Sequence, residues 1–368
     1  MKIIYGSELF WPHIGGSEIL SAQLLPALMK YRHDFMIITS HSGIQCSDIT
    51  DFKGIPVHRF QFHLPLINRD LKGVLKTRKR LLHTIQTYKP DLIHLNGVGS
   101  DTFYHLMIIS AVRLPLFITL HGMPMVRLRQ ENNLFHRAIH SARWVSAVSQ
   151  SVLNETQDLI PEIVTHSSVI YNGLEMPDLQ PTSLPFEKPI LLCLGRLVRH
   201  KGFDLAINAF SEIQKQFPES QMIIAGEGPE KPALVKQVQS MHLNKTIRFT
   251  GQVEPDNVSE LINSTTIIIM PSRREPFGLV AVQAGQMARP VIATRIDGLP
   301  EVIDHEQTGL LVEKQSVQAI VAAIKKLLTN PELTRTLGNN ARKKAKNQFD
   351  LNFCASQYHE RYIQLGQN

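Results

Sequence analysis

The chain has 368 residues, and because single cores stop growing near roughly 250 to 300 residues it is expected to fold as two domains. With 43% hydrophobic and 19% charged residues, and 21 each of Gly and Pro, its composition is that of a globular protein, which excludes disordered, collagen-like and disulfide-scaffold classes. The net charge of +7 is concentrated N-terminally, where residues 1–170 hold 17 Lys and Arg against 12 Asp and Glu.

Short apolar runs alternate with amphipathic stretches, the signature of β-α-β units with parallel sheets. In the first half the runs predict strands at 2–5, 35–39, 92–95, 116–120, 144–148 and 169–171, with helical patterns at 18–30 and 71–88 between them. The second helical pattern is basic and amphipathic. Lys72, Lys76, Arg78, Lys79 and Arg80 share it with Leu71, Val74, Leu75, Leu81, Leu82 and Ile85 at helical spacing. Such a helix is either a solvated face or a surface for anionic lipid. No nucleic-acid recognition motif accompanies the charge, so no nucleic-acid partner is expected.

Residues 176–189 contain four prolines and little periodicity, and read as a linker after a domain at 1–175. In the second half, strands are predicted at 190–194, 222–225, 247–250, 266–270 and 291–294. Helices are predicted near 202–217, 229–241, 255–263 and 278–287. This second domain is taken to run over 190–348, with helical patterns at 331–347 and 351–365; the tail at 349–368 has no assignable packing partner. The expected architecture is α/β, two Rossmann-like doubly wound domains facing each other across a cleft, with ligands at the carboxyl ends of the strands.

Three scattered cysteines, Cys46, Cys193 and Cys354, make neither a disulfide framework nor a metal or redox motif, which fits a reducing, cytoplasmic setting. The first residues carry too short an apolar run for a signal peptide, because Gly6, Ser7 and Glu8 interrupt it. The longest apolar region, 105–120, contains Arg113 and Pro115 and falls short of the ~20 residues of a membrane span.

Several strand ends carry ligand-type chemistry. After the first strand, Gly15-Gly16-Ser17-Glu18 opens a helix, either as a tight capped turn or as a place where backbone meets an anion. His121 follows the strand at 116–120 beside Gly122, where it is either structural or a substrate contact. In the second half, Gly195-Arg196-Leu197-Val198-Arg199-His200-Lys201-Gly202 follows the domain's first strand, and two cations flanking a loop that feeds a helix suit a diphosphate. Glu275 precedes a helix whose first amides come from Phe277, Gly278 and Leu279, so a carboxylate for sugar hydroxyls meets amides for phosphate. Neither Gly15-Gly16-Ser17-Glu18 nor Gly226-Glu227-Gly228-Pro229 is a dinucleotide fingerprint.

Taken in order, Gly-Gly-Ser-Glu, Thr-Leu-His-Gly (119–122), Val-Ile-Tyr-Asn-Gly-Leu-Glu (169–175), Gly-Arg-Leu-x-x-x-Lys-Gly (195–202), Ala-Gly-Glu-Gly-Pro (225–229), Glu-Pro-Phe-Gly-Leu-Val (275–280) and Gly-Leu-Pro-Glu-Val-Ile (298–303) resemble family 4 of retaining glycosyltransferases with the GT-B fold. The resemblance covers essentially the whole chain. It implies transfer of a hexose from a nucleotide diphosphate sugar, UDP-sugar first and GDP-sugar next, to a glycan or lipid-linked hydroxyl, without a metal ion or other cofactor. It further implies that Arg196 and Lys201 hold the donor diphosphate and that Glu275 contacts hydroxyls of the transferred sugar. Gly195 and the amides of Phe277, Gly278, Leu279 and Val280 would line the donor, His121 would sit near the transferred sugar, and Gly15 and Gly16 would approach the phosphate. Asn172 and Gly173 would mark the end of the first domain.

One position departs from the family pattern: Gln283 stands where a second glutamate is usual, eight residues after the first. Gln still accepts a hydrogen bond, without charge assistance, at a cost of ~1 kcal/mol in donor binding. The rival readings are a GT-B nucleotide-sugar 2-epimerase, which would need no acceptor, and a non-catalytic donor-binding partner subunit, for which Gln283 is the hint.

Overall fold

The apolar runs become the strands of two parallel sheets. The computed structural model describes residues 1–41, 43, 46–122 and 133–367 in two units, Met1–Gly173 with Leu351–Asn368, and Leu174–Asp350. Residues 123–132 lie outside the described residues.

In the first unit, β1 (Lys2–Ser7), α1 (Gly16–Met29) and β2 (Asp34–Ser40) precede a hairpin of β3 (Ile49–Phe52) and β4 (Ile55–Phe60). Next come α2 (His63–Ile67), α3 (Leu71–Tyr88), β5 (Leu92–Asn96), α4 (Ser100–Val112) and β6 (Leu116–Leu120). Then α5 (Leu134–Ser141), β7 (Trp144–Ala147), α6 (Gln150–Leu159) and β8 (Ser167–Val169) complete a sheet of order β3-β4-β2-β1-β5-β6-β7-β8. Among the described residues only the β3–β4 pair is antiparallel. Its two-residue turn, Lys53-Gly54, has both residues at positive φ, and Asp51 Oδ1 accepts from the Gly54 amide at 2.9 Å. These two strands are absent from the sequence reading because β3 is half exposed and its neighbours carry no continuous apolar run. The apolar region at 105–120 resolves into the end of α4, a left-handed turn at Arg113, and β6.

The second unit runs β9 (Ile190–Leu194), α7 (Phe203–Gln216), β10 (Gln221–Ala225), α8 (Lys231–Ser240), β11 (Ile247–Gly251) and α9 (Pro255–Asn263). It continues through β12 (Ile267–Met270), α10 (Leu279–Gln286), β13 (Val291–Thr294), α11 (Leu299–Val302), β14 (Gly309–Val312), α12 (Val317–Leu328) and α13 (Pro331–Gln348). Its all-parallel sheet has the order β11-β10-β9-β12-β13-β14. Central strands are buried on both faces, which is why Ile267, Ile268 and Ile269 run consecutively at 0% exposure.

Two boundaries differ from the sequence reading. Residues 176–189 are part of the second unit rather than a separate linker. Thr182 donates its amide to Asn263 Oδ1 at 2.9 Å and its hydroxyl to the Asn263 carbonyl at 3.0 Å, and Thr266 Oγ1 donates to the Pro185 carbonyl at 3.0 Å. The buried Arg289 guanidinium donates to the Thr182 carbonyl and hydroxyl, and burial lowers its pKa to about 10. Prolines mark irregular backbone, which here is held in place by side chains distant in sequence.

The tail is the second difference. It forms α14 (Leu351–Gly366), which returns to the first unit and buries Leu351, Cys354, Ala355, Tyr358, Tyr362 and Leu365 in the same core as Ile3, Tyr5, Leu24 and Phe117. The chain leaves the first unit at Gly173 and re-enters it at Leu351, and Leu174 pairs with Asp350 as an isolated bridge. No helix among the described residues is long and apolar enough to cross a membrane.

Candidate active site

In each unit one strand has neighbours whose connections lead away in opposite directions, and ligands of doubly wound sheets sit at the carboxyl ends there. In the second unit this strand is β9, flanked by β10 and β12. The loop after β9 carries Gly195 to Gly202 and the loop after β12 carries Pro271 to Gly278, so the topology brings together residues over seventy positions apart. Lys201 Nζ lies 2.7 Å from Glu275 Oε2, with Glu275 only 7% exposed. Ser272 Oγ donates to the same oxygen at 3.1 Å. Oε1 has no partner among the described residues.

The backbone around Glu275 is bracketed. Its amide donates to Asp297 Oδ2 at 2.7 Å, and its carbonyl accepts from the Gly298 amide at 3.1 Å. Asp297 sits at φ 41°, a left-handed conformation that Asp and Asn tolerate better than most residues. The neighbouring Arg273 clamps the loop to α7, with Nη1 and Nη2 at 2.8 and 2.7 Å from the Asp204 carboxylate and a further bond to the Arg199 carbonyl. Two glycines make this approach possible. A Cβ at Gly202, φ +70°, would run into the Pro271 carbonyl oxygen, and Gly278, φ +105°, caps α10 in the left-handed region.

The other second-unit residues named from the sequence fall around this pair in different ways. Arg196 is exposed on the same loop and makes no ion pair among the described residues. The Gly195 amide is committed to the Ala225 carbonyl at 2.9 Å. Phe277 is a core residue, edge-on to Phe349 at 5.6 Å, so only its backbone faces ligand chemistry. Gly278, Leu279 and Val280 form the start of α10, whose first amides lack intrahelical partners and carry the positive end of the helix dipole. Gln283 is half-buried one turn further along. Burial, and then the neighbouring Lys201, lowers the His200 pKa, which keeps that ring neutral beside the cations.

In the first unit, His121 follows β6 and donates from Nε2 to Asn96 Oδ1, 2.6 Å away at the end of β5. Asn96 Nδ2 in turn donates to Ser21 Oγ of α1 at 3.2 Å. Burial lowers the His121 pKa to about 4, so the ring is neutral with Nδ1 as its lone-pair nitrogen: it can accept a hydrogen bond from a hydroxyl but cannot act as an acid at neutral pH. Gly15 is the extended N-cap of α1 and Gly16 its first residue, and the Glu18 side chain folds back over Gly15. Glu8, which follows β1, caps α4 by accepting from the Ser100 amide at 2.6 Å and the Ser100 hydroxyl.

Sequence reasoning missed Ser272, Asp297, Asn96 and the Asp204–Arg273 pair. Asp297 had a signal, its place directly before the glycine of the 298–303 motif. The others are ordinary polar residues whose roles exist only once strands are paired.

The family profile described as Glycosyltransferase Family 4 matches residues 14–176, and the one described as Glycosyl transferases group 1 matches residues 178–344. The chain belongs to glycosyltransferase family 4. This family 4 enzyme is similar to the N-acetyl-alpha-D-glucosaminyl L-malate synthase of Bacillus anthracis, at 26% identity over 382 residues, 99% of this chain and 98% of that one. It is also similar to the alpha-D-kanosaminyltransferase of Streptomyces kanamyceticus, at 24% identity over 80% of this chain and 82% of that one. Among solved structures, a sucrose-phosphate synthase from Thermosynechococcus elongatus matches with TM-score 0.85 and 23% identity over 99% of both chains. Anabaena HepE, solved in complex with UDP-glucose, matches with TM-score 0.79 and 21% identity over 99% of this chain and 100% of that one. The fold of this glycosyltransferase is GT-B.

Proposed function

We propose that this glycosyltransferase moves a hexose from a nucleotide diphosphate sugar, UDP-sugar in preference to GDP-sugar, to a hydroxyl of a glycan or lipid-linked acceptor, with retention at the anomeric carbon. The setting is cytoplasmic synthesis of a bacterial cell-surface polysaccharide or glycolipid. The observation that carries the reading is the pair of half-buried Lys201 and buried Glu275 at the switch point of the second sheet, beside the N-terminus of α10. UDP is favoured because Anabaena HepE was solved with UDP and with UDP-glucose.

Each residue then has a task. Glu275 Oε1 accepts from sugar hydroxyls while Lys201 and Ser272 hold Oε2. Lys201 is shared with the donor diphosphate, which the exposed Arg196 reaches from the loop rim. The first amides of α10 add partial positive charge where the leaving diphosphate develops its own negative charge, so the cations and the helix dipole do the work of a metal ion. In the reacting step the acceptor oxygen bonds to the anomeric carbon as the carbon–phosphate oxygen bond breaks, and the acceptor proton passes to the departing phosphate on the same face. His121 Nδ1 accepts a hydrogen bond from the transferred sugar, and Gly15 and Gly16 leave room for phosphate. No carboxylate serves as a nucleophile.

The test is a donor panel without acceptor or metal, following nucleotide release and thermal midpoint. A UDP-sugar is expected to raise the midpoint by mass action and to be hydrolysed slowly. Failure of every nucleotide sugar to stabilise the protein at millimolar concentration would overturn the reading in favour of a partner subunit with a lost donor site. Release of an altered free sugar with UDP would support an epimerase instead. Gln283→Glu should tighten UDP-sugar binding by about fivefold, measured by calorimetry, because it restores charge assistance worth ~1 kcal/mol.

A further inference from the structure

Nine large apolar side chains are exposed among the described residues, and four of them fall within twelve positions: Leu64 at 55%, Ile67 at 61%, Leu71 at 69% and Leu75 at 50%. They lie on α2 and the first turns of α3. Pro65 seats α2 against the Gly73 turn of α3, so the two helices form one corner. The buried face of α3 is Val74, Thr77, Leu81 and Ile85; Leu71 and Leu75 are on its solvent side, with Lys72, Lys76 and Lys79 exposed along the adjoining stripe and Arg69 just before it. No Asp or Glu occurs in Leu71–Tyr88, and Asp70 is spent as the N-cap, accepting from the Gly73 amide at 3.0 Å.

The structure also separates the five cations grouped together by sequence. Arg80 is paired with Asp48 Oδ2 at 2.8 Å and lies over the Phe60 ring, and the half-buried Arg78 donates to the Met107 carbonyl. Of the five, the lysines alone are exposed.

We propose that the α2–α3 corner docks the enzyme on an anionic lipid bilayer, with Leu64, Ile67, Leu71 and Leu75 entering the headgroup–acyl boundary and Lys72, Lys76 and Lys79 meeting lipid phosphates. The chemistry of the corner suits a bilayer better than a protein or nucleic acid. An aliphatic ridge beside exposed lysines, whose one carboxylate, Asp70, is engaged as a helix cap, matches a surface that is apolar within and anionic at its rim, whereas a nucleic acid offers nothing for four aliphatic side chains. The corner follows β4, so it lies on the carboxyl-end rim of the first unit's sheet, the rim that also carries His121 and Gly15. A lipid-linked acceptor held in the bilayer would therefore enter from the side of the unit where those residues stand. This deepens the acceptor half of the proposed function and leaves the donor half independent.

The experiment is cosedimentation of the full chain with vesicles of phosphatidylcholine alone and of equal parts phosphatidylcholine and phosphatidylglycerol, at low and high salt. Binding is expected to the mixed vesicles only and to weaken with salt. Since each cation near such a surface is worth about fivefold, Lys72→Gln with Lys76→Gln and Lys79→Gln should weaken binding about 100-fold. Leu71→Ser with Leu75→Ser should weaken it at least tenfold. Lys245→Gln with Lys314→Gln and Lys343→Gln, an equal charge loss on the second unit, should change it less than threefold. UDP-sugar hydrolysis without acceptor should be unchanged in every variant, which separates failure here from failure of the donor reading. Absence of vesicle binding, equal binding to neutral vesicles, or equal losses in the two triple variants would overturn the proposal.

Discussion

Glu275 shows how much a single buried carboxylate demands of its surroundings. At 7% exposure it loses most of its hydration, which Lys201 at 2.7 Å and Ser272 at 3.1 Å offset, while Asp297 and Gly298 satisfy the backbone amide and carbonyl of the same residue. Lys201→Ala removes both the counter-ion and a diphosphate contact. It should lower kcat/KM for the nucleotide sugar about 10- to 150-fold, corresponding to ~1.5 to 3 kcal/mol; a variant with full kcat/KM would contradict the role given to Lys201. Asp297→Ala frees the Glu275 amide and should lower kcat about fivefold or more with little change in stability, while Asp297→Asn, which keeps an acceptor oxygen and tolerates positive φ, should recover most of it. Steady-state kinetics on both variants decide whether Asp297 positions Glu275 or is a bystander. Lys201 and Glu275 were legible in the sequence because charge next to a strand end and a helix start has few structural uses. Ser272 and Asp297 were not, because a serine or aspartate in a loop is ordinary until another loop folds against it.

At the scale of elements, α14 is the clearest case of a segment whose partner lies far away in the chain. Tyr362 OH is 2.7 Å from His94 Nδ1, while His94 Nε2 meets Thr119 Oγ1 at 2.8 Å, and Thr119 also reaches Ser146 Oγ and Tyr358 OH. This polar network is fully buried, and burial lowers the His94 pKa to about 3, so every member is neutral. Tyr362→Phe leaves one ring nitrogen of His94 without a partner. It should cost about 1 to 3 kcal/mol and lower the thermal midpoint, with faster hydrogen exchange in β5 and β6 than in β9 and β12. Uniform exchange changes across both sheets would argue against α14 as a local clamp. The helix itself was predicted from its periodicity over 351–365; its docking was not, because the apolar face of an amphipathic helix does not specify which apolar surface covers it. The β3–β4 hairpin escaped notice for a different reason, a half-exposed edge without a continuous apolar run.

For the whole molecule, titration distinguishes the two units. Burial holds His94 at about 3 and His33, His105 and His121 at about 4, all in the first unit, whereas His200, His242 and His305 of the second are exposed or half-buried. A histidine whose folded pKa is depressed stabilises the fold fully above its ordinary value near 6.5, and that stability is lost as pH falls toward the folded value. Asp101, raised to about 7 by burial and then by Glu8, acts in the opposite sense over the same range, so the four histidines outnumber it by three protons. The first unit should therefore weaken on the order of 4 kcal/mol per pH unit below about pH 6. Hydrogen exchange at pH 7 and pH 5, corrected for intrinsic rates, is the measurement. Loss of protection in β5 and β6 ahead of β9 and β12 is expected, and simultaneous loss in both sheets would refute it.

By itself the sequence determined two parallel-sheet domains, the strands buried on both faces, the cations and carboxylate at strand ends, and the ordered motifs of glycosyltransferase family 4. These are local properties: apolar runs, helix starts and glycine-bearing turns are written in consecutive residues. Only the tertiary structure decided that residues 176–189 belong to the second unit, that α14 closes the core of the first, that Lys201 meets Glu275, and that the exposed lysines of α3 border an aliphatic ridge. Each of those depends on which distant surfaces cover one another, and one chain of residue types carries no direct record of that.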